Sequence, residues 1–311
     1  MANRRVSFRS FTVRGWRDRS ARRRSSVLVS AAGIVGTTLS FVIAGSGATA
    51  VAVAPVISHA PRVVTGNPHG NVNTWSASNW SGYAETGNGL TGVSGSWTVP
   101  SVQSSSSATY SSVWVGVDGF NNSNLIQTGT EEDFYNGAAH YNAWWEILPA
   151  AETPLSNPVS PGDQMSASIY ETSATVSTGG RFFHRTEHVW SITISDSTRN
   201  WSFNTQQAYG GSGTSAEWIV EAPQVGGRIA TLAHYSFGTA GGLGTTSGDF
   251  DGANVGHTIG SPAGTPAGLV PNDAGVMIQN NAQVSTPSNP DLAGTAYNAA
   301  YGSTAPLPPA N

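Results

Sequence analysis

"SAEWIVEAP", residues 215–223, sorts cleanly into two sides when read alternately. Ala216, Trp218 and Val220 fall on one side, and Glu217, Ile219 and Glu221 on the other, because successive residues of a strand point to opposite faces. Two glutamates on an otherwise apolar strand are unusual in a chain with only 10% charged residues. The same sorting works on three neighbouring stretches. "SSVWVGVDGF", residues 111–120, sets Val113, Val115 and Val117 against Trp114, Gly116 and Asp118. "NLIQTGTEE", residues 124–132, places Gln127 with Leu125, Gly129 and Glu131. "AHYNAWWEILP", residues 139–149, sets Tyr141, Ala143, Trp145 and Ile147 against His140, Asn142, Trp144 and Glu146.

Each stretch therefore pairs an apolar core face with a face of Trp, Asp, Asn, Gln and Glu. A solvated face is more often Thr, Ser and Lys, whereas an aromatic and carboxylate face suits a concave cleft for an extended polymer. Ordinary outer faces carrying surface tryptophans are the alternative at this stage. Short runs rich in Val, Ile, Thr, Trp and Tyr, broken by Gly, Ser, Asn and Asp, continue through residues 75–295. No helical period or fixed repeat interrupts them, so an all-β chain is expected, as a β-sandwich of two antiparallel sheets.

Charge divides the chain. Nine of its fourteen basic residues lie in the first 24 positions, and there is no lysine. Beyond them five arginines face seventeen carboxylates, a formal −12. Such an acidic body argues against a nucleic-acid partner. The basic start, the apolar run at 27–50 and its small-residue end Ala48-Thr49-Ala50 have the layout of a secretory signal. "RRRSSV", residues 22–27, is a weak twin-arginine variant. The 1–50 segment is read as that signal, with a membrane anchor as the alternative. Secretion to the extracellular medium without lasting membrane association follows. Residues 51–74, marked by Pro and Gly, read as a linker or short propeptide, and 296–311 as a flexible tail. An exported chain with no cysteine must hold its fold without disulfides. Low lysine and many carboxylates suit an acidic medium, where protonation relieves self-repulsion.

Taken together and in order, "VWVGVDGF", "LIQTGTE", "YNAWWEILP" and "SAEWIVEAP" resemble the eqolisin family of glutamic peptidases. "SNWSGY" before them and "GVMIQNNAQV" after them fit the same pattern, over roughly residues 75–285. The resemblance implies a β-sandwich with a concave active-site face and a catalytic pair on Gln127 and Glu221. It also places Trp114, Asp118, Glu131, Trp144, Glu146 and Glu217 in the substrate cleft, with packing as the alternative for the tryptophans. The expected protein is a secreted, acid-acting endopeptidase and a monomer, taking protein or peptide substrates and needing no cofactor or metal. Asn142 and Glu131 stand where the family often has Asp, and the cysteines of the fungal members are missing.

The proposed pair makes chemical sense. A glutamate, titrating near about 4.3 when free, can take a proton from water and return it to the leaving amine. An amide can donate to the oxyanion without changing charge. Three other readings compete. "HRTEH", residues 184–188, matches an inverted zinc-protease motif, but its flanks read as strand, where residues four apart stand roughly 13 Å apart. A retaining glycosidase could use Glu146 with Glu221 as carboxylates about 5.5 Å apart. A carbohydrate-binding module would use the tryptophans alone.

Overall fold

Turn residues set the first hairpin of the site. Asn136 and Gly137 both have positive φ, 52° and 77°, the two-residue turn that matches strand twist. Strand Ile126–Tyr135 is thereby locked to Ala138–Ile147 with Tyr135 opposite Ala138. Asn280 and Asn281, with φ of 49° and 62°, do the same between Ala274–Gln279 and Ala282–Pro287.

The computed structural model describes residues 54–66, 75–179, 183–237 and 248–310; the segment read as a signal lies outside them. Among the described residues the strands form two packed antiparallel layers. One layer runs Trp201–Ala208, Phe183–Asp196, Gln164–Gly179, Gly92–Thr98 and Gly248–Val255. The other runs Tyr297–Tyr301, Ala282–Pro287, Ala274–Gln279, Trp80–Thr86, Ser215–Glu221, Ser112–Val117, Ile126–Tyr135 and Ala138–Ile147. Gly248–Val255 turns the corner, pairing first with Tyr297–Ala299 and then with Gly92–Thr98, with a register shift between Asp251 and Asn254.

The alternation read from the sequence is the layering. Val113, Val115, Val117, Ala216, Trp218 and Val220 pack inward against Trp97, Met165, Ile169 and Ile192 of the opposing layer. Trp114, Trp144 and Ile219 lie on the reverse face with Trp80 and Leu125. Burying a large apolar side chain contributes about 1.5–3 kcal/mol, so this core can stabilise a chain that has no cysteine.

Two boundaries differ from the expectation. The 296–311 tail begins as a strand, Tyr297–Tyr301, in which buried Tyr297 donates its hydroxyl to Trp218 O at 2.7 Å. The described part of the 51–74 stretch is no free linker. Ile57–Ser58 pairs with Gln224–Val225, and Val64 bridges to Ala77. The "HRTEH" stretch lies within strand Phe183–Asp196, so its backbone is extended where the zinc motif needs a helix.

Candidate active site

Strand register aligns the polar face. Gln127 pairs across to Glu146 on one side and to Gly116 on the other, and Gly116 pairs with Glu217. Two residues along, Gly129 lies between Trp114 and Trp144; two further, Ser112 lies between Glu131 and Glu221. Gly129 has a steric reason, since a Cβ there would sit 2.5 Å from Trp114 Cβ. Its missing side chain lets the Trp114 indole lie across the sheet.

Trp114 Nε1 donates to Glu221 Oε2 at 2.8 Å, and Gln127 Nε2 donates to Glu146 Oε2 at 2.7 Å. Gln127 Oε1 is buried without a hydrogen-bond partner among the described residues. Trp80 meets Trp114 edge to face at 5.0 Å between ring centroids and braces it from behind.

Sequence reasoning missed His59. Its backbone N–H is shared between Glu146 Oε1 and Oε2, each 3.2 Å away, and Ala60 N–H donates to Glu221 Oε1 at 3.3 Å. The imidazole Nδ1 lies 3.0 Å from Glu221 Oε2, and Nε2 lies 3.1 Å from Glu131 Oε1 and 3.5 Å from Glu152 Oε2. The Nε2 approaches are charge contacts, not aligned hydrogen bonds. The ring stacks on Trp144 with centroids 3.8 Å apart at 16°. Asn79, buried in "SNWS", clamps the segment by accepting from Val63 N and donating to the Ala60 and Pro61 carbonyls. Arg62 bonds Phe120 O and Asn121 Oδ1 further along. Neither His59 nor Glu152 stands in a periodic run, so no strand pattern marked them.

Asp118 takes another place. It sits at the end of Ser112–Val117 with φ 71° and accepts hydrogen bonds from Gly213 N, Thr214 N, Tyr209 Oη and Asn122 Nδ2. Burial acts to raise its value, but those donors outweigh it and lower it below the usual carboxylate range. It anchors the start of the strand that carries Glu217 and Glu221. Glu217 is fully buried; burial first, then the Asp118 charge, raise it well above the ordinary glutamate value.

The electrostatics of the cluster are set by burial. It pushes Glu146 up to about 7 against the opposing influence of His59, and it raises Glu131 well above the ordinary value, with Asp133 adding to it. For His59 burial acts downward, but the Glu221 charge and the contacts with Glu131, Glu152 and Glu221 outweigh it and raise the imidazole value. A carboxyl that titrates higher in the fold than in the unfolded chain keeps a proton the unfolded chain has released. The fold therefore loses stability as the pH rises from 4.5 towards about 7, and Glu146 alone accounts for about 3 kcal/mol of that loss. Raised His59 works in the same direction over this interval, since its contribution is lost as the pH rises through its folded value. We expect the thermal midpoint to fall by about 5–10 °C over that interval. A midpoint that rises with pH would show these carboxyls ionised at no cost.

A β-sandwich with a sheet face where Gln127 sits among glutamates beside two indoles is the arrangement expected of the glutamic class of peptidases. Comparison with known proteins narrows the class. The peptidase A4 family matches residues 78–255. Aspergillopepsin-2 of Aspergillus niger is 30% identical over 241 residues, covering 70% of this chain and 76% of its own. Scytalidopepsin B of Scytalidium lignicola is 37% identical over 100 residues, 32% of this chain and 37% of its own. A scytalido-glutamic peptidase crystallised with a transition-state analog inhibitor shares the fold, with a TM-score of 0.53 and 23% identity over 72% of this chain and 98% of its own. The chain belongs to the peptidase A4, or eqolisin, family, and is a glutamic endopeptidase acting on protein or peptide substrates. That membership overturns the glycosidase and carbohydrate-binding alternatives.

Proposed function

We propose that the chain is a secreted endopeptidase working in acid, with Glu221 as general base and then acid, and Gln127 as oxyanion donor. Glu221 takes a proton from water as the oxygen adds to the scissile carbonyl carbon. The Gln127 amide N–H stabilises the oxyanion of the tetrahedral intermediate. The C–N bond then breaks as Glu221 passes its proton to the leaving nitrogen, giving a carboxylic acid and an amine. Trp114 orients Glu221 through its N–H, and Gln127 Oε1 is free to accept from the water. Among the described residues, no helix is long and apolar enough to cross a membrane.

One observation carries the reading of a peptide-binding cleft. A polypeptide already runs through it, with the backbone N–H groups of His59 and Ala60 directed at Glu146 and Glu221. We read residues 54–66 accordingly as a propeptide that a substrate must displace. Its release follows from titration. As the pH falls, Glu131, Glu146 and the nearby Asp133, all raised by burial, take up protons, while His59 keeps its charge in a pocket that has lost much of the opposing charge. The test is hydrolysis of an unfolded protein between about pH 3 and 7, with chelator present, by the full chain and its His59→Ala variant. We expect cleavage on the acid side by both, and about tenfold faster cleavage by the variant near pH 6, narrowing towards pH 3. No proteolysis at any pH would overturn the function. Equal rates at pH 6 would overturn the propeptide reading alone.

A further inference from the structure

The pocket around the His59 ring has a shape and charge of its own. Its floor is the flat face of Trp144, and an indole face attracts cations. Its rim is acidic on both sides, with Glu131 and Glu152 at Nε2 and Glu221 at Nδ1. Glu146 lies at the backbone side and Asp133 behind Glu131. Among the described residues Glu131, fully buried, has no ion-pair partner other than His59.

Both ring nitrogens face carboxylate oxygens. Imidazolium, with a proton on each nitrogen, matches that arrangement. The ligand atoms of His59, Glu131 and Glu152 lie within 4.8 Å of one another, a grouping that suits a metal on distance alone. As imidazolium the ring has no lone pair to offer one and is itself the cation beside the carboxylates.

We propose that Trp144, Glu131 and Glu152 form a substrate subsite selecting a planar cationic side chain, histidine or arginine, of which His59 is the occupant supplied by the chain itself. The inference deepens the peptidase reading and rests on it for its consequence in catalysis. Arginine fits because guanidinium is flat, stacks on aromatic faces and presents several donors. Lysine carries the charge but cannot stack flat. Leucine in the subsite would leave the buried Glu131 and the half-buried Glu152 carboxyls without a partner, which opposes its binding.

The full chain with His59→Ala vacates the subsite. Thermal midpoints and titrations at about pH 5.5, where free imidazole is protonated, would compare 4-methylimidazole, methylguanidine, methylamine and toluene. The two planar cations should bind about tenfold more tightly than the other probes, and Glu131→Gln in the same background should remove most of that difference. Toluene binding as well as the cations, or no probe binding at all, overturns the subsite. A peptide series varied at one position at a time should then give kcat/KM about tenfold higher for His and Arg than for Leu at one position, with Lys between. A flat series overturns selection while the peptidase reading stands. Cation binding without cleavage of any peptide sinks the peptidase reading and keeps the subsite. If His59→Ala does not fold, His59→Phe keeps the stack and removes only the charge. Hydrogen-exchange protection of the amides at positions 59 and 60 should then drop at least about tenfold; unchanged protection overturns the role of charge.

Discussion

Glu221→Gln is expected to lower kcat by about 10³-fold or more, with the fold kept. The substitution is nearly isosteric, and an amide oxygen can still accept the Trp114 indole N–H now 2.8 Å from Oε2. Two consequences of the change have opposite signs. Losing the carboxylate loosens the His59 contact at 3.0 Å, which opens the cleft and by itself raises activity. Losing the base stops the attack of water. If Glu221 were only an anchor for residues 54–66, the variant would be the more active enzyme in the range where that segment blocks the cleft. If it is the base, the variant binds substrate at least as well and turns it over at a small fraction of the wild-type rate. Steady-state kinetics on one cleaved peptide separates the two, and near-wild-type kcat removes Glu221 from the mechanism.

The layers were legible because alternation is a local signal. Val113, Val115 and Val117 against Trp114 and Gly116 specify a strand and its buried side without reference to anything distant. Strand ends were less legible. The Tyr297–Tyr301 strand is five residues long and sits in a Gly-, Ala- and Pro-rich stretch, so its composition resembles a frayed end. It becomes a strand because Tyr297 finds the Trp218 carbonyl and a buried slot beside Tyr83. Both partners are far away in sequence, and tertiary contact there outweighs local propensity.

The site divides in the same way. Gln127, Glu131, Trp144, Glu146 and Glu221 lie on periodic strands, and register brings them together. His59 lies on a stretch whose only described strand is Ile57–Ser58, so nothing in its neighbourhood indicates the carboxylates it meets. Asn79 is a case of a different kind. It begins an Asn-Trp-Ser glycosylation triplet, yet its buried amide is occupied by the Ala60 and Pro61 carbonyls, which explains an asparagine there by its grip on the segment.

Gln127→Ala is expected to reduce kcat by about 10²–10³-fold with little change in KM. An oxyanion exists only along the reaction path, so its donor stabilises the transition state and not the bound substrate. The competing account is that Gln127 matters only by holding Glu146, to which its Nε2 donates at 2.7 Å. That account predicts that Glu146→Gln costs as much as Gln127→Ala and that the double variant costs no more than either. The electrostatics favour the first account. A second fixed negative charge beside a developing oxyanion would oppose it, and burial holds Glu146 neutral below about 7. In acid Glu146 is therefore an uncharged prop for the amide, and its replacement by glutamine should be mild while Gln127→Ala is severe. A double-variant cycle measures this directly. A Glu146→Gln loss equal to that of Gln127→Ala would move the essential group from the amide to the carboxyl beside it.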